Sequence, residues 1–202
     1  MFSGLVREIA EVKSFKNDTL EILSPYEPKI GDSIAINGAC LTVTKLFKGG
    51  FALNLTAHTQ EKIATENLKG KVHLEPALRF SDRLDGHIVQ GHIDGVATLT
   101  YIHKQSSQTR FSLKLPAHLH CLMVVDGSVC VDGISLTITD FQAPYLILTL
   151  IPHTLEHTLF HTYGVGRRVN IESDMIVRSL AQLMGKMSKS GWEKFDDMAL
   201  GY

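Results

Sequence analysis

The chain has 202 residues, 44% of them hydrophobic and 20% charged, with a formal net charge of −1 at pH 7. That is the composition of an ordinary globular protein, and it gives no electrostatic reason to expect nucleic acid or an anionic membrane as partner. The length allows one large domain or two of about 90–100 residues each.

At the start, MFSGLVREIAEV sets Arg7, Glu8 and Glu11 close behind its few apolar residues, which breaks up any signal-peptide core. Nowhere does the chain approach the ~20 consecutive apolar residues needed to span a bilayer. Cys40, Cys121 and Cys130 are odd in number and lack CxxC spacing. They read as reduced thiols of a cytoplasmic protein, not as a disulfide framework or a zinc site.

The first strong pattern begins at Ser33. Ser33–Ile36 and Leu41–Leu46 alternate or cluster β-branched residues on either side of Asn37-Gly38. Asx-Gly between two apolar runs is a hairpin signal, because both residues tolerate positive φ. A strand over Phe51–Leu55 follows the turn Lys48-Gly49-Gly50, and another over Val72–Leu74 follows Lys69-Gly70. Between them, His58–Leu68 has room for a short helical turn.

The same order then returns. SIAINGACLTVT (Ser33–Thr44) lies on SVCVDGISLTIT (Ser128–Thr139) at an offset of 95, with five of twelve positions identical. At that offset FALNLTAHTQE (Phe51–Glu61) meets LILTLIPHTLE (Leu146–Glu156), and after two inserted residues VHLE (Val72–Glu75) meets VNIE (Val169–Glu172). Upstream, SGLVREIAEV (Ser3–Val12) lies more weakly on QGHIDGVATL (Gln90–Leu99). Strand chemistry alone does not keep one register through separated segments, so the chain reads as a tandem duplication. The expected domains are 1–86, 87–172 and a tail, 173–202. Short strands with turns between them predict an all-β, closed or nearly closed antiparallel barrel in each copy.

The tail changes character. Behind Ser173-Asp174, Ile176, Leu180, Leu183 and Met187 fall at helical spacing. A lone amphipathic helix after two complete barrels either packs back on its own barrel or meets the same helix of other subunits.

MFSGLV at the start, NGACLTVT at Asn37–Thr44, GHIVQGHIDG at Gly86–Gly95, DGISLTIT at Asp132–Thr139 and IPHTLEHT at Ile151–Thr158 together resemble the riboflavin synthase family of lumazine-binding proteins. The resemblance covers nearly the whole chain. It implies two tandem six-stranded antiparallel Greek-key barrels and a C-terminal α-helix that assembles a homotrimer. It also implies a transferase reaction with no cofactor and no metal, the last step of riboflavin biosynthesis. Two molecules of 6,7-dimethyl-8-ribityllumazine exchange a four-carbon unit, giving riboflavin and 5-amino-6-ribitylaminouracil. The site would lie between the first barrel of one subunit and the second of its neighbour. Association with lumazine synthase is left open. Lumazine and yellow fluorescent proteins share the fold and bind the ligand without catalysis, so a non-catalytic binding protein is the alternative.

Matching to the family supplies the expected site. One pocket takes Gly4, Leu5 and Val6, then Cys40, Leu41 and Thr42, then Asn54, Leu55, Thr56, Ala57, His58 and Thr59 of the first barrel, with Gly91, His92 and Ile93 contributed at the opening of the second. The other takes Ser135, Leu136 and Thr137 with Leu150, Ile151, Pro152, His153, Thr154 and Leu155. The catalytic candidates are His92 as acid/base, Cys40 and Ser33 as nucleophile or water-positioning groups, and Thr137 as a hydroxyl donor. A buried cysteine is often only a small hydrophobe. His87 and Asp132 have structural readings beside functional ones, Asp132 chiefly in its turn. The copies differ where roles would differ: Cys40 answers to Ser135, and Gly4-Leu5 to Gly91-His92. His92 and Ser135 are thus expected on one side and Cys40 on the other.

Three positions depart from the family. Asp126-Gly127 stands where Lys-Gly is usual, Ala57-His58-Thr59 where a Glu commonly precedes the Thr, and Glu75-Pro76 where Glu-Arg is common. Asp126, His58 and Pro76 therefore change the ligand contacts expected at those points. His118 with His120, and His153 with His157 and His161, have some metal-ligand spacing, but no carboxylate or cysteine completes a set.

Overall fold

A computed structural model describes residues 1–190, the side chains of 186–190 excepted. The expected tail beyond 190 and the side chain of Met187 lie outside the described residues.

The first barrel is built from β1 (Glu8–Lys16), β2 (Thr19–Leu23), β3 (Ser33–Ile36), β4 (Ala39–Phe47), β5 (Gly50–Asn54) and β6 (Gly70–Pro76), with helix α1 (Ala57–Lys62) between the last two. The second repeats it with β7 (Gly95–Lys104), β8 (Thr109–Lys114), β9 (Ser128–Val131), β10 (Ile134–Gln142), β11 (Tyr145–Leu150), helix α2 (Pro152–Glu156) and β12 (Arg168–Ser173). Around the first barrel the order is β1-β2-β5-β4-β3-β6, and the second follows the equivalent order, both closed. In each, three hairpin-linked strands are joined by a fourth that returns beside the first of them, which is a Greek key. Closure leaves no free sheet edge to manage.

Both predicted hairpin turns form. Asn37 (φ +44°) and Gly38 (+82°), like Asp132 (+45°) and Gly133 (+85°), take the left-handed backbone that a two-residue turn between antiparallel strands requires.

Four strands are covered on both faces. Ile34 and Ile36 of β3 fill the first barrel, while Ala35 between them faces the second and packs with Phe2, Val89 and Cys130. Cys130 is the β9 counterpart of Ala35. Its enclosure pushes the thiol well above its usual range, so it acts as a small apolar side chain. In β6 and β12 the inward residues are Val72, Leu74, Val169 and Ile171; the outward ones are His73, Glu75, Asn170 and Glu172, all buried.

Those outward polar groups join the barrels about a pseudo-twofold axis. His73 Nε2 accepts from the Leu159 amide (2.7 Å), so Nδ1 carries the proton and donates to the Asp132 carbonyl (2.9 Å). Asn170 does the same work in reverse, donating to the Asn37 carbonyl (2.8 Å) and accepting from the Ala64 amide (2.8 Å). The two turns themselves abut. A Cβ on Gly38 would lie 2.7 Å from the Gly133 nitrogen, and one on Gly133 would lie 2.8 Å from the Gly38 nitrogen.

Helix α3 (Met175–Ser190) starts at Asp174, whose side chain accepts from the Ile176 amide (2.7 Å). Ile176, Leu180 and Leu183 are 60%, 54% and 58% exposed. The first reading of this apolar edge, that it packs back on its own barrel, is overturned for these residues. No described helix is long and apolar enough to cross a membrane.

Candidate active site

Two lead-in segments cross between the barrels. Residues 3–6 run into β1 of the first barrel but lie on β10 of the second, where the Ser135 amide donates to the Gly4 carbonyl (2.7 Å). Residues 90–93 run into β7 of the second barrel but lie on β4 of the first, where the Cys40 amide donates to the Gly91 carbonyl (2.9 Å). Ile93 is buried in the first barrel's core and Val6 packs against the second's. Only glycine permits the approach. At Gly91 (φ +77°) a Cβ would stand 2.5 Å from Cys40 Cβ, and at Gly4 (φ +74°) 2.7 Å from Ser135 Cβ.

A carboxylate grips each crossing. Glu75 accepts from the amides of Ser3 (2.7 Å) and Gly4 (3.1 Å), and Glu172 from those of Gln90 (2.8 Å) and Gly91 (2.9 Å). Burial raises both carboxyl pKa values against the pull of those amides, Glu172 to about 7. Sequence reasoning missed these two residues. Their signal was present in VHLE and VNIE, where a carboxylate recurs at the same place in both copies, on the face opposite the core residues.

The crossing regroups the expected residues. Gly4, Leu5 and Val6 go with Ser135, not with Cys40; His92 lines a cavity with Cys40, as in the family-matched pocket, and not with Ser135, where the comparison of the copies put it. A cavity of about 330 Å³ is lined by Cys40, His58, Thr59, Lys62, Gly91, His92 and Ile93, with Ala39 and Ile63. Lys62 was not anticipated. Ser33 faces Thr42 across the β3–β4 pair, and its side chain draws the Cys40 pKa down. Burial nonetheless pushes the Cys40 thiol up, so the resting group is a thiol and not a thiolate.

Around Ser135 the chemistry differs. Its hydroxyl meets His87 Nδ1 at 2.7 Å, while His87 Nε2 is buried without a partner among the described residues. Burial depresses the His87 pKa. The second half-site therefore has a histidine of its own, brought by the segment that connects the barrels. Thr137 is exposed two residues beyond Ser135 on β10, opposite Ser128. It is not among the residues lining the Cys40 cavity. The four catalytic candidates are thus split, Ser33, Cys40 and His92 on one barrel and Thr137 on the other.

The remaining expected residues sort by burial. Leu41, Leu55 and Leu150 are core side chains, so only their backbone can meet a ligand, and Leu136 packs against the second core. Asn54 accepts from Thr44 (3.3 Å) on the outer face of the first barrel. Thr56 caps α1 through the Thr59 amide (3.1 Å), and Ala57 opens that helix. Ile151 is exposed just before Pro152, and His153, Thr154 and Leu155 lie on α2, the counterpart of α1. Asp126 (φ +64°) occupies the turn before β9, its amide bonded to the Ile138 carbonyl (2.9 Å). Asp132 is buried, accepting from Tyr163 (2.6 Å) and the Asn170 amide (2.7 Å), and burial raises its pKa to about 6. Its ligands are structural. Pro76 ends β6 opposite Ile34. Among the described residues, no group of three or more His, Cys, Asp or Glu side chains could hold a metal ion.

Comparison with known proteins adds relatives to this geometry. A family model described as the lumazine binding domain matches twice, over residues 3–77 and 90–174. Riboflavin synthase of Bacillus amyloliquefaciens is 37% identical over 199 residues, covering 94% of this chain and 93% of that protein. Riboflavin synthase of Photobacterium leiognathi is 33% identical over 210 residues, covering 99% and 96%. Among solved structures, LumP complexed with riboflavin aligns with a TM-score of 0.78 at 23% identity, over 86% of this chain and 99% of that one. LumP complexed with 6,7-dimethyl-8-(1'-D-ribityl) lumazine aligns with a TM-score of 0.73 over the same shares. At such identity these two structures bear on the fold alone.

Proposed function

The chain belongs to the lumazine binding domain family, in two copies, and on that premise we propose that it works as a riboflavin synthase. The observation that carries this reading is near-complete coverage by catalytic relatives together with two unlike half-sites on one duplicated fold. The reaction is a dismutation of two 6,7-dimethyl-8-ribityllumazine molecules. One gives up a four-carbon unit and leaves as 5-amino-6-ribitylaminouracil, and the other accepts the unit and becomes riboflavin. Atoms and electrons balance between the two, so no cofactor is consumed.

The residues divide the work as follows. His92, exposed beside Cys40, takes and returns the proton of the acidic methyl group on the lumazine ring. Cys40, held as a thiol, and Ser33 position water or the ring, with Lys62 and Thr59 at the cavity wall. Thr137, with Ser135 and His87, serves the second substrate on the other barrel. The productive site pairs the first barrel of one subunit with the second of a neighbour in a cytoplasmic homotrimer, in which the exposed edge of α3 is covered. Holding both substrates in register supplies much of the acceleration. Docking with lumazine synthase would be a further property of that assembly.

The test is direct. The purified protein, incubated with 6,7-dimethyl-8-ribityllumazine, is expected to sediment as a trimer and develop riboflavin absorbance. Tight binding with no turnover would establish the LumP-like alternative instead.

A further inference from the structure

Arg178, in the first turn of α3, lies across the segment that presents His92. Its Nη1 donates to both carboxylate oxygens of Asp94 (2.9 and 2.7 Å), and its Nη2 donates to Gln90 Oε1 (2.5 Å) and stands 3.9 Å from Glu172 Oε1. Gln90 and Asp94 sit two residues to either side of His92. Asp94 is held again by the Ser173 amide (2.8 Å) and hydroxyl (2.6 Å), immediately before the helix. The Arg178–Asp94 pair is largely buried, at 15% and 17% side-chain exposure. Both Asp94 oxygens close on the single Nη1 while Nη2 is held by Gln90, so the guanidinium is tied to both flanks of His92.

Among the described residues the other crossing, by residues 3–6 on the second barrel, has no such device. At the crossing by Ser3 and Gly4 the carboxylate of Glu75 is present, but Ser3 turns its own hydroxyl onto it (2.8 Å), and Arg7 stands where the second copy has Asp94. The latch therefore lies at the crossing that carries His92. That asymmetry is not needed to join the barrels, because Glu75 holds its crossing without it.

We propose that Arg178 is a positioning residue for His92, tying the C-terminal helix to the segment that sets the imidazole over the Cys40 cavity. The inference rests on His92 acting as the acid/base of the reaction above. His92 is exposed, so its placement comes from its backbone. That backbone is fixed by Glu172 on the Gln90 and Gly91 amides, by Cys40 on the Gly91 carbonyl, and by Arg178 bridging the two flanks. Displacing a reacting group by about 1 Å can cost about a hundredfold in rate. Whatever covers the exposed edge of α3 would then reach the chemistry through one side chain.

The test uses the full chain with Arg178→Gln and Arg178→Lys. In Arg178→Gln, kcat is expected to fall about ten- to a hundredfold with KM little changed, at unaltered sedimentation, and Arg178→Lys recovers most of the loss. Adding His92→Gln to Arg178→Gln should then cost far less than it does in the unmodified chain. Amide hydrogen exchange gives a readout independent of turnover. The Gly91 amide is expected to exchange about ten times faster in Arg178→Gln, as when a local opening becomes easier, while the Gly4 amide keeps its rate. Equal acceleration at both glycines, strictly multiplicative rate losses, or activity restored by raising the protein concentration would overturn the proposal. If the unmodified chain failed to turn over lumazine, the functional reading would fall, and the exchange comparison would still decide whether Arg178 holds the segment.

Discussion

The two barrels agree where they hold each other and differ where they meet a ligand. His73 and Asn170, Glu75 and Glu172, and Gly38 and Gly133 occupy equivalent places and make equivalent contacts across the axis. At the half-sites the equivalence ends: Cys40, His92 and Lys62 stand on the first barrel, and Ser135, Leu5 and His157 at the same positions on the second. A duplicated binding fold can keep its joint symmetric while its two sites diverge, because different strands carry the two tasks. The joint uses β3, β6, β9 and β12. The sites use β4, β10, helix α1 and the segments that cross onto the barrels, with Ser33 at the first position of β3 the one overlap.

Three experiments press on that comparison. The largest effect is expected at the asymmetric position itself. His92→Gln should lower turnover by about 10²–10⁴-fold, the usual contribution of a positioned acid/base, with lumazine binding retained in a fluorescence titration. Installing Leu5→His in that background should restore nothing, since residue 5 belongs to the segment that lies on β10 beside Ser135 and not beside Cys40. Recovery there would mean that the half-sites are interchangeable.

The symmetric joint should answer symmetrically. Gly38→Ala and Gly133→Ala each force a Cβ against a backbone nitrogen that no rotamer change can move. Each should destabilise by more than the roughly 1–3 kcal/mol of a left-handed non-glycine residue alone, measured by denaturant unfolding. Gly49→Ala, with φ +85° and nothing within 4 Å of its Cβ, is the control that carries the backbone cost only. A marked difference between the two joint variants would break the symmetry claimed for the interface.

The smallest effect concerns pH. Burial lowers the His73 pKa to about 4, so the fold requires its neutral form. Its contribution is complete above the unfolded value of 6.5 and is lost as pH falls from there toward 4, by up to about 3 kcal/mol. Asp132 and Glu172, raised to about 6 and about 7, work the other way, adding stability at low pH that fades as pH rises through those values. His73→Asn copies Asn170 onto the first barrel and removes only the histidine term. Compared with the unmodified chain, it should lose less stability between pH 6.5 and 4; an unchanged acid limb would show that His73 is not the group responsible.

Much of this was legible from residue order. The Asx-Gly turns, the strands at Ser33–Ile36 and Phe51–Leu55, the helical segment after Leu55 and the amphipathic face from Ile176 follow from local chemistry and appear where patterning puts them. The crossing of residues 3–6 and 90–93 was not legible. Repeat matching aligns each lead-in with its counterpart but is blind to which barrel it touches, because exchanging the two leaves every match intact. That is why comparing the copies set His92 beside Ser135, although the family-matched pocket had it with Cys40. His87 beside Ser135 escaped for a related reason: it lies in the connection between copies, where no counterpart exists to compare. Arg178 escaped because its partners, Gln90 and Asp94, are more than eighty residues away.

The abutting turns carry one more consequence, which concerns growth. A contact in which each half offers the same patch to the other is isologous, and such a contact closes after two members. Gly38 against Gly133, and the paired backbone of Phe2 and Val89, use up the patch on both barrels. A third barrel finds no vacant copy of it. Assembly beyond the single chain must therefore proceed through a surface the duplication did not consume, and the apolar edge of α3 at Ile176, Leu180 and Leu183 is such a surface.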